Sequence, residues 1–165
     1  MKAIRLLSKH TMRLKNTLYR RIKIFSLKCQ YGSKFKSEKF HFRTGFHLFI
    51  EDNGQVEIGK NCFFNTNCTI TARKLVKIGN DCIFGENIKI YDHNHNFKDK
   101  TKLISQQGFN TESVIIDSNC WIASNVIILK GVHIGSNSVI GAGVIVYKNV
   151  PANSVLVCKQ DIINL

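Results

Sequence analysis

Residues 92–95 read Asp-His-Asn-His. Histidine takes or gives a proton near neutral pH, so His93 and His95 both suit general base work. Two positions apart, they can share one face of a strand, which is also how a metal site begins. No further His or Cys lies nearby in sequence to complete such a site, and no metal is expected. A satisfied structural role for both imidazoles stays open. Asp92 joins them as a candidate substrate contact. Elsewhere the chain shows no Gly-rich phosphate loop, no Gly-x-Ser-x-Gly elbow and no paired-carboxylate motif.

What positions these four residues is a repeat that breaks beside them. From Val114 to Pro151, Ile116, Ile122, Ile128, Ile134, Ile140 and Val146 recur every six residues. Three residues after each stands Asn119, Asn125, Gly131, Asn137, Gly143 or Asn149. An apolar residue followed by a turn-former at period six is neither helix nor hairpin. It is the spacing of a hexapeptide β-helix, in which three short strands and three corners close one coil. Asn, Asp and Gly tolerate the left-handed backbone that a tight corner needs. Traced backwards, the ladder includes Ile58, Phe64, Ile70, Ile78, Phe84 and Ile90. Ile116 to Ile134 is one coil of 18 residues, Ile58 to Ile78 is 20 residues, and Ile78 to Ile116 is 38. At the corner position only Arg73 and His93 depart from Asn, Asp or Gly, and each precedes one of the two irregular steps. The larger step opens a polar, Lys-rich loop over roughly residues 96–113. Loops thrown out of a rigid scaffold are favoured places for binding sites.

The length of 165 residues fits one domain, or one domain with an appendage. No apolar run approaches the ~20 residues that span a bilayer, and the basic start does not read as a signal peptide. Of the six cysteines, Cys62, Cys68, Cys82 and Cys120 occupy the small inward hexad position, which predicts reduced, buried thiols in a cytoplasmic protein. The net charge of +13 is concentrated at one end: residues 1–43 hold thirteen Lys and Arg against the single Glu38, a local +12. Ile4, Leu7, Leu14, Leu18, Ile22 and Phe25 fall there at mostly three-, four- and seven-residue spacings, predicting one or two amphipathic helices. Such a helix can pack on the solenoid end or a neighbouring subunit, or lie on anionic lipid at the inner face of the membrane. No nucleic-acid motif accompanies the charge, so no nucleic-acid partner is expected. Residues 29–55 read as irregular with strand-like stretches, with Phe40, Phe42, Phe46 and Phe49 as a cap over the first coil and His41 and His47 in packing roles. The expected division is a basic helical and capping segment at 1–43, a repeat domain at 44–157 and a tail at 158–165.

Residues 56–157, about three-fifths of the chain, resemble the hexapeptide-repeat acyltransferases, above all galactoside, maltose and nodulation-type O-acetyltransferases. VEIGKNCFFNTNCTI, the His-bearing loop and NCWIASNVIILKGVHIGSNSVIGAGVIVYKNVP carry the resemblance. It implies an all-β solenoid, a left-handed parallel β-helix of about four regular coils, assembled as a homotrimer with acetyl-CoA as donor. By the same resemblance, the catalytic histidine falls on His95, with His93 beside it to orient His95 or the acceptor. Asn65 matches the acceptor-pocket asparagine, and Trp121, Ser124, Ala142, Gly143 and Lys148 match the CoA groove. Galactoside-type enzymes have acidic residues where this chain has Ala72 and Arg73, and a longer helical N-terminal region. The chain looks closer to acetyltransferases of capsule, lipopolysaccharide or exopolysaccharide assembly, which act on sugar hydroxyls of precursors that are often anionic. Transfer to an amine of a nucleotide-linked amino sugar, and a non-catalytic trimeric scaffold, are the other two readings.

Overall fold

The computed structural model describes residues 2–159, with side chains described from Leu14 onward; residues 160–165 of the expected tail lie outside the described residues. Each hexapeptide forms one short strand and one corner. The strands stack into three faces of a prism, and all pairings within a face are parallel. The first face holds Phe35–Ser37, Val56–Ile58, Val76–Ile78, Val114–Ile116 and His133–Ile134. The second holds His41–Phe42, Phe63–Phe64, Ile83–Phe84, Trp121–Ile122, Val139–Ile140 and Val155–Leu156. The third holds His47–Ile50, Thr69–Ala72, Lys89–Tyr91, Ile127–Ile128 and Ile145–Val146.

The twelve inward residues expected from the period are all 2% exposed or less. They meet like upon like: Ile58 pairs with Ile78, Ile78 with Ile116, and Ile116 with Ile134. The 20- and 38-residue steps therefore leave register intact, because the extra residues go outward. Corners behave as the residue types demand. Asn61, Asn67, Asp81, Asn87, Asn119, Asn125 and Asn137 have φ between 58° and 62°, and Gly131 and Gly143 are also left-handed. Asn149 is the exception: it is absent from the left-handed corners, and its side chain instead accepts the His133 backbone N–H at 2.8 Å.

The aromatic stretch expected as an irregular cap is itself a coil, giving five coils rather than four. Ser37, Phe42 and Leu48 stand in register with Ile58, Phe64 and Ile70. Its rings continue the core, with Phe42 stacked on Phe46 at 4.9 Å and Phe46 against Phe64 of the next coil at 5.1 Å. The covering role belongs instead to a single helix, α1, at Lys2–Tyr31. Leu27 is buried, Ile24 and Tyr31 pack against the core, and the Tyr31 hydroxyl donates to the Leu48 carbonyl at 3.0 Å. The apolar stripe that announced the helix does not do this packing: Leu14, Leu18, Ile22 and Phe25 are 58–71% exposed. His41 and His47 also point outward and are exposed, against their expected packing roles.

Cys62, Cys68, Cys82 and Cys120 are buried and unpaired, whereas Cys29 and Cys158 are exposed. The buried thiols donate to carbonyls of neighbouring coils, such as Cys62 to Gly79 and Cys82 to Asp117. Burial pushes the Cys68 thiol up to about 11. No helix among the described residues is long and apolar enough to cross a membrane.

Candidate functional site

Three edges join the faces of the prism, and the departures from the corner rule lie on one of them. This edge follows the third face. Its regular positions carry Asp52 in the first coil and Gly131 in the fourth, both left-handed. In the second and third coils it carries Arg73 and His93, which follow in register from Thr71 and Tyr91. The Arg73 and Lys74 backbone N–H groups, which no corner turn satisfies, donate to the carboxylate of Asp92 at 2.7–3.1 Å. Asp92 is fully buried and its remaining contact is His93 Nδ1 at 3.0 Å. The Asp92 carboxyl, already accepting from two backbone N–H groups, orients the His93 ring through Nδ1.

From Asp92 the chain leaves the prism as an antiparallel hairpin, His93–His95 paired with Phe109–Thr111. His93 and His95 share one face of it, as period two requires. Phe109 is the platform. Its ring lies 4.4 Å from the His95 ring and 5.5 Å edge-on to His93, and the Arg73 guanidinium sits 3.4 Å from its centroid. Arg73 is held from outside by Glu51 and Asp52. The His93 side chain is only 13% exposed. His95 is exposed, and its ring nitrogens have no hydrogen-bond partner among the described residues.

Residues 96–108 close the hairpin around Gln107. Its side-chain amide donates to the carbonyls of Asp99 and Lys102 and accepts the Asp99 N–H, while Asn96 donates to the Gln107 carbonyl. Thr101 donates to the Asp99 carboxyl from both hydroxyl and backbone and holds it below the usual carboxylate range. Between loop and prism lies a cleft of about 550 Å³, with His95, Asn94, Asn110, Lys98, Lys102 and Lys130 on its wall. Lys130 is ion-paired with Glu112, whose carboxyl it holds low. Among the described residues no group of three His, Cys, Asp or Glu side chains could hold a metal ion.

The other expected site residues lie on different edges. Asn65 stands on the edge after the second face, where its side-chain carbonyl accepts from Arg43 at 3.2 Å and from the Thr66 N–H at 2.9 Å. Ser124, Ala142 and Gly143 occupy the same edge two and three coils further on, tied by the Gly143 N–H to the Ser124 carbonyl. Close stacking there requires Gly85, since a Cβ would meet the Ser124 nitrogen at 2.6 Å. Trp121 lies outward on the second face, 53% exposed, between Ile83 and Val139. Lys148 is on the His-bearing edge, its ammonium 5.7 Å from the Tyr147 ring. Within one chain, then, His95 and Lys148 share an edge, and Asn65 shares another with Ser124, Ala142 and Gly143.

Sequence reasoning missed Glu112, Phe109 and Gln107, which sit in a loop without periodicity to index them. It missed the pairing of Arg73 with Asp92 as well, although both corner exceptions had marked the spot.

The bacterial transferase hexapeptide family (six repeats) matches residues 113–148. A putative acetyltransferase of Schizosaccharomyces pombe is 38% identical over 103 residues, 62% of this chain and 48% of that protein. The galactoside O-acetyltransferase of Lactococcus lactis is 37% identical over 100 residues, 61% of this chain and 47% of that protein. The chain thus spans about half the length of these curated relatives. A solved structure of a galactoside acetyltransferase in complex with coenzyme A superposes with TM-score 0.55 and 30% identity, covering 70% of this chain and 60% of that one.

Proposed function

We propose that this chain, which belongs to the hexapeptide-repeat acyltransferases, transfers an acetyl group from acetyl-CoA to a sugar hydroxyl of a bacterial surface-polysaccharide precursor. The observation that carries the reading is the cleft of about 550 Å³ that opens where the coil count breaks, with His95 on its wall. The similarity to a galactoside acetyltransferase bound to coenzyme A supports the donor.

In this reading His95 removes the hydroxyl proton as the oxygen attacks the thioester carbonyl, and coenzyme A leaves as the thiol. Its exposed ring nitrogens can reach an acceptor, whereas His93 is tied to Asp92 and steadies Phe109, on which His95 rests. His93 and Asp92 are therefore positioning residues here. A backbone amide of the ladder would stabilise the tetrahedral oxyanion. No acyl-enzyme is needed, because a groove holding both substrates supplies proximity. The four inward cysteines are buried, which removes them as nucleophiles.

A homotrimer completes the arrangement. Asn65 and His95 lie on different edges of one prism, so an acceptor touching both must lie between two chains. One subunit would give Asn65 and the ledge of Ser124, Ala142 and Gly143. The next would give the His-bearing hairpin, and Lys148 would meet CoA phosphates. Trp121, outward beside that ledge, would flank the pantetheine arm. Lys98 in the cleft favours an anionic acceptor, whereas Lys102 there is ion-paired with Asp99.

The test is thiol release from acetyl-CoA over a panel of sugar and nucleotide- or lipid-linked acceptors, with products treated by mild base, which cleaves an ester and spares an amide. His95→Ala should lower turnover by about 10²- to 10⁴-fold with unchanged melting. Wild-type turnover by that variant would sink the base assignment. A base-stable product would turn the reading to N-acetyl transfer.

A further inference from the structure

The part of the molecule that acetyl transfer leaves unused is α1. It carries two apolar faces. At 100° per residue, Leu27, Tyr31 and Ile24 point one way and are taken by the first coil. Leu14, Leu18, Ile22 and Phe25 fall within an arc of about 80° on the far side, and all four are more than half exposed. Such a stripe on a helix already docked by its opposite side is not needed to hold the solenoid together.

Its charge surroundings indicate what covers it. The helix sequence holds nine Lys and Arg and no Asp or Glu. Arg21 and Lys28 flank one margin of the stripe and Lys15 the other, and all three are exposed. A second copy of the same face would bring equal positive charges together with no carboxylate between them. A surface of anionic headgroups over acyl chains offers the complementary pattern, negative charge at the margins and hydrocarbon beneath the stripe. Leucine, isoleucine and phenylalanine are the residues such a helix sinks to the acyl boundary. Because no described helix is long and apolar enough to cross a membrane, the contact is one of lying on the surface.

We infer that α1 docks the protein on an anionic lipid bilayer through Leu14, Leu18, Ile22 and Phe25, with Lys15, Arg21 and Lys28 meeting the headgroups. The inference stands apart from acetyl transfer, and would survive the loss of that reading.

Sedimentation of the full chain with vesicles tests it. Wild-type protein should pellet with vesicles containing phosphatidylglycerol, remain in the supernatant with phosphatidylcholine alone, and be released by raised salt. Leu18→Glu with Phe25→Glu should weaken the phosphatidylglycerol binding at least about tenfold. Lys15→Glu with Arg21→Glu should weaken it too and flatten its salt dependence. All four side chains are exposed, and circular dichroism should show the solenoid unchanged. Three results overturn the inference: no pelleting of the wild type on phosphatidylglycerol, full pelleting by the stripe variant, or a stripe variant that changes oligomeric mass in ultracentrifugation while its lipid binding stays intact. The last would assign the stripe to a second copy of the chain.

Discussion

Two edges of the prism start from the same hexapeptide spacing and reach different chemistry. On the edge after the second face, Asn67, Asn87, Asn125 and Gly143 make one left-handed corner per coil, and the Asn87 amide donates to Asn125 in the coil above at 2.9 Å. Each corner satisfies itself and its neighbour, so the edge is a straight ledge of backbone. On the edge after the third face, Arg73 and His93 cannot make that corner cheaply. The backbone donors freed there converge on buried Asp92, and the chain is released outward as the hairpin. The difference teaches how a repeat acquires a site. Losing the left-handed residue in two stacked coils creates a demand for an acceptor, and the carboxylate that meets it also fixes an imidazole. The regular edge offers backbone and short polar side chains such as Asn65 and Ser124, whereas the irregular one carries imidazoles.

If that is right, the edges should fail differently. Ile122→Ala, deep in the regular stack, should cost about 2–5 kcal/mol through lost burial and the cavity left behind, read as a lower denaturation midpoint. It should leave the hairpin's own contacts intact. Asp92→Ala should cost less in global stability, about 1–3 kcal/mol for unpaired buried donors. Its larger effect should be local: amide exchange at Arg73, Lys74 and residues 93–111 should rise, and turnover should fall with KM nearly unchanged. Equal exchange in Asp92→Ala and wild type would mean that the carboxylate does not hold the hairpin.

The prism was largely legible because its energetics are periodic. Burial at Ile78, Ile116 and Ile134 recurs in sequence as it does in space. The first coil was hidden because Ser37 takes the inward place that Ile or Phe takes elsewhere, and its spacing to Phe42 is five residues instead of six. For α1 the periodicity found a helix and an apolar face, but the face that packs is the one at Ile24, Leu27 and Tyr31. A helix with two apolar sides gives no sign in sequence of which is covered. At the candidate site His93, His95 and the corner exception Arg73 were readable as broken rules. The hydrogen bond from Arg73 to Asp92 was not, since it spans 19 positions and depends on stacking of coils. The ion pair of Lys130 with Glu112 was hidden for the same reason, since the two lie 18 positions apart.

A smaller effect separates corners that look alike in sequence. Asn87 is left-handed at φ 59°, and Asn149 is not. Asn87→Ala should cost about 1–2 kcal/mol, because a Cβ without a local polar partner strains that backbone. Asn87→Gly should recover most of it, apart from the lost bond to Asn125. At Asn149 the order should reverse: Gly gains nothing conformationally, and both variants lose only the bond to the His133 N–H. Thermal melts of the four variants check this, and recovery by Gly at both positions would erase the distinction.

The smallest predicted effect tests whether the stack behaves as one dry core up to the ledge of the regular edge. Cys68 lies just inside that ledge, its thiol raised by burial from 9.0 to about 11. The unfolded thiol ionises first, so the stabilisation is fully present below pH 9 and is lost as pH rises towards 11. Melting temperature should therefore fall more steeply across that window in wild type than in Cys68→Ala or Cys68→Val, after allowing for the overall alkaline slope. At neutral pH the same burial should limit alkylation to Cys29 and Cys158, with all six cysteines modified in denaturant, as counted by mass spectrometry. Rapid native labelling of Cys68 would show that the second-face edge opens to solvent, and the contrast between a closed ledge and an open hairpin would no longer hold.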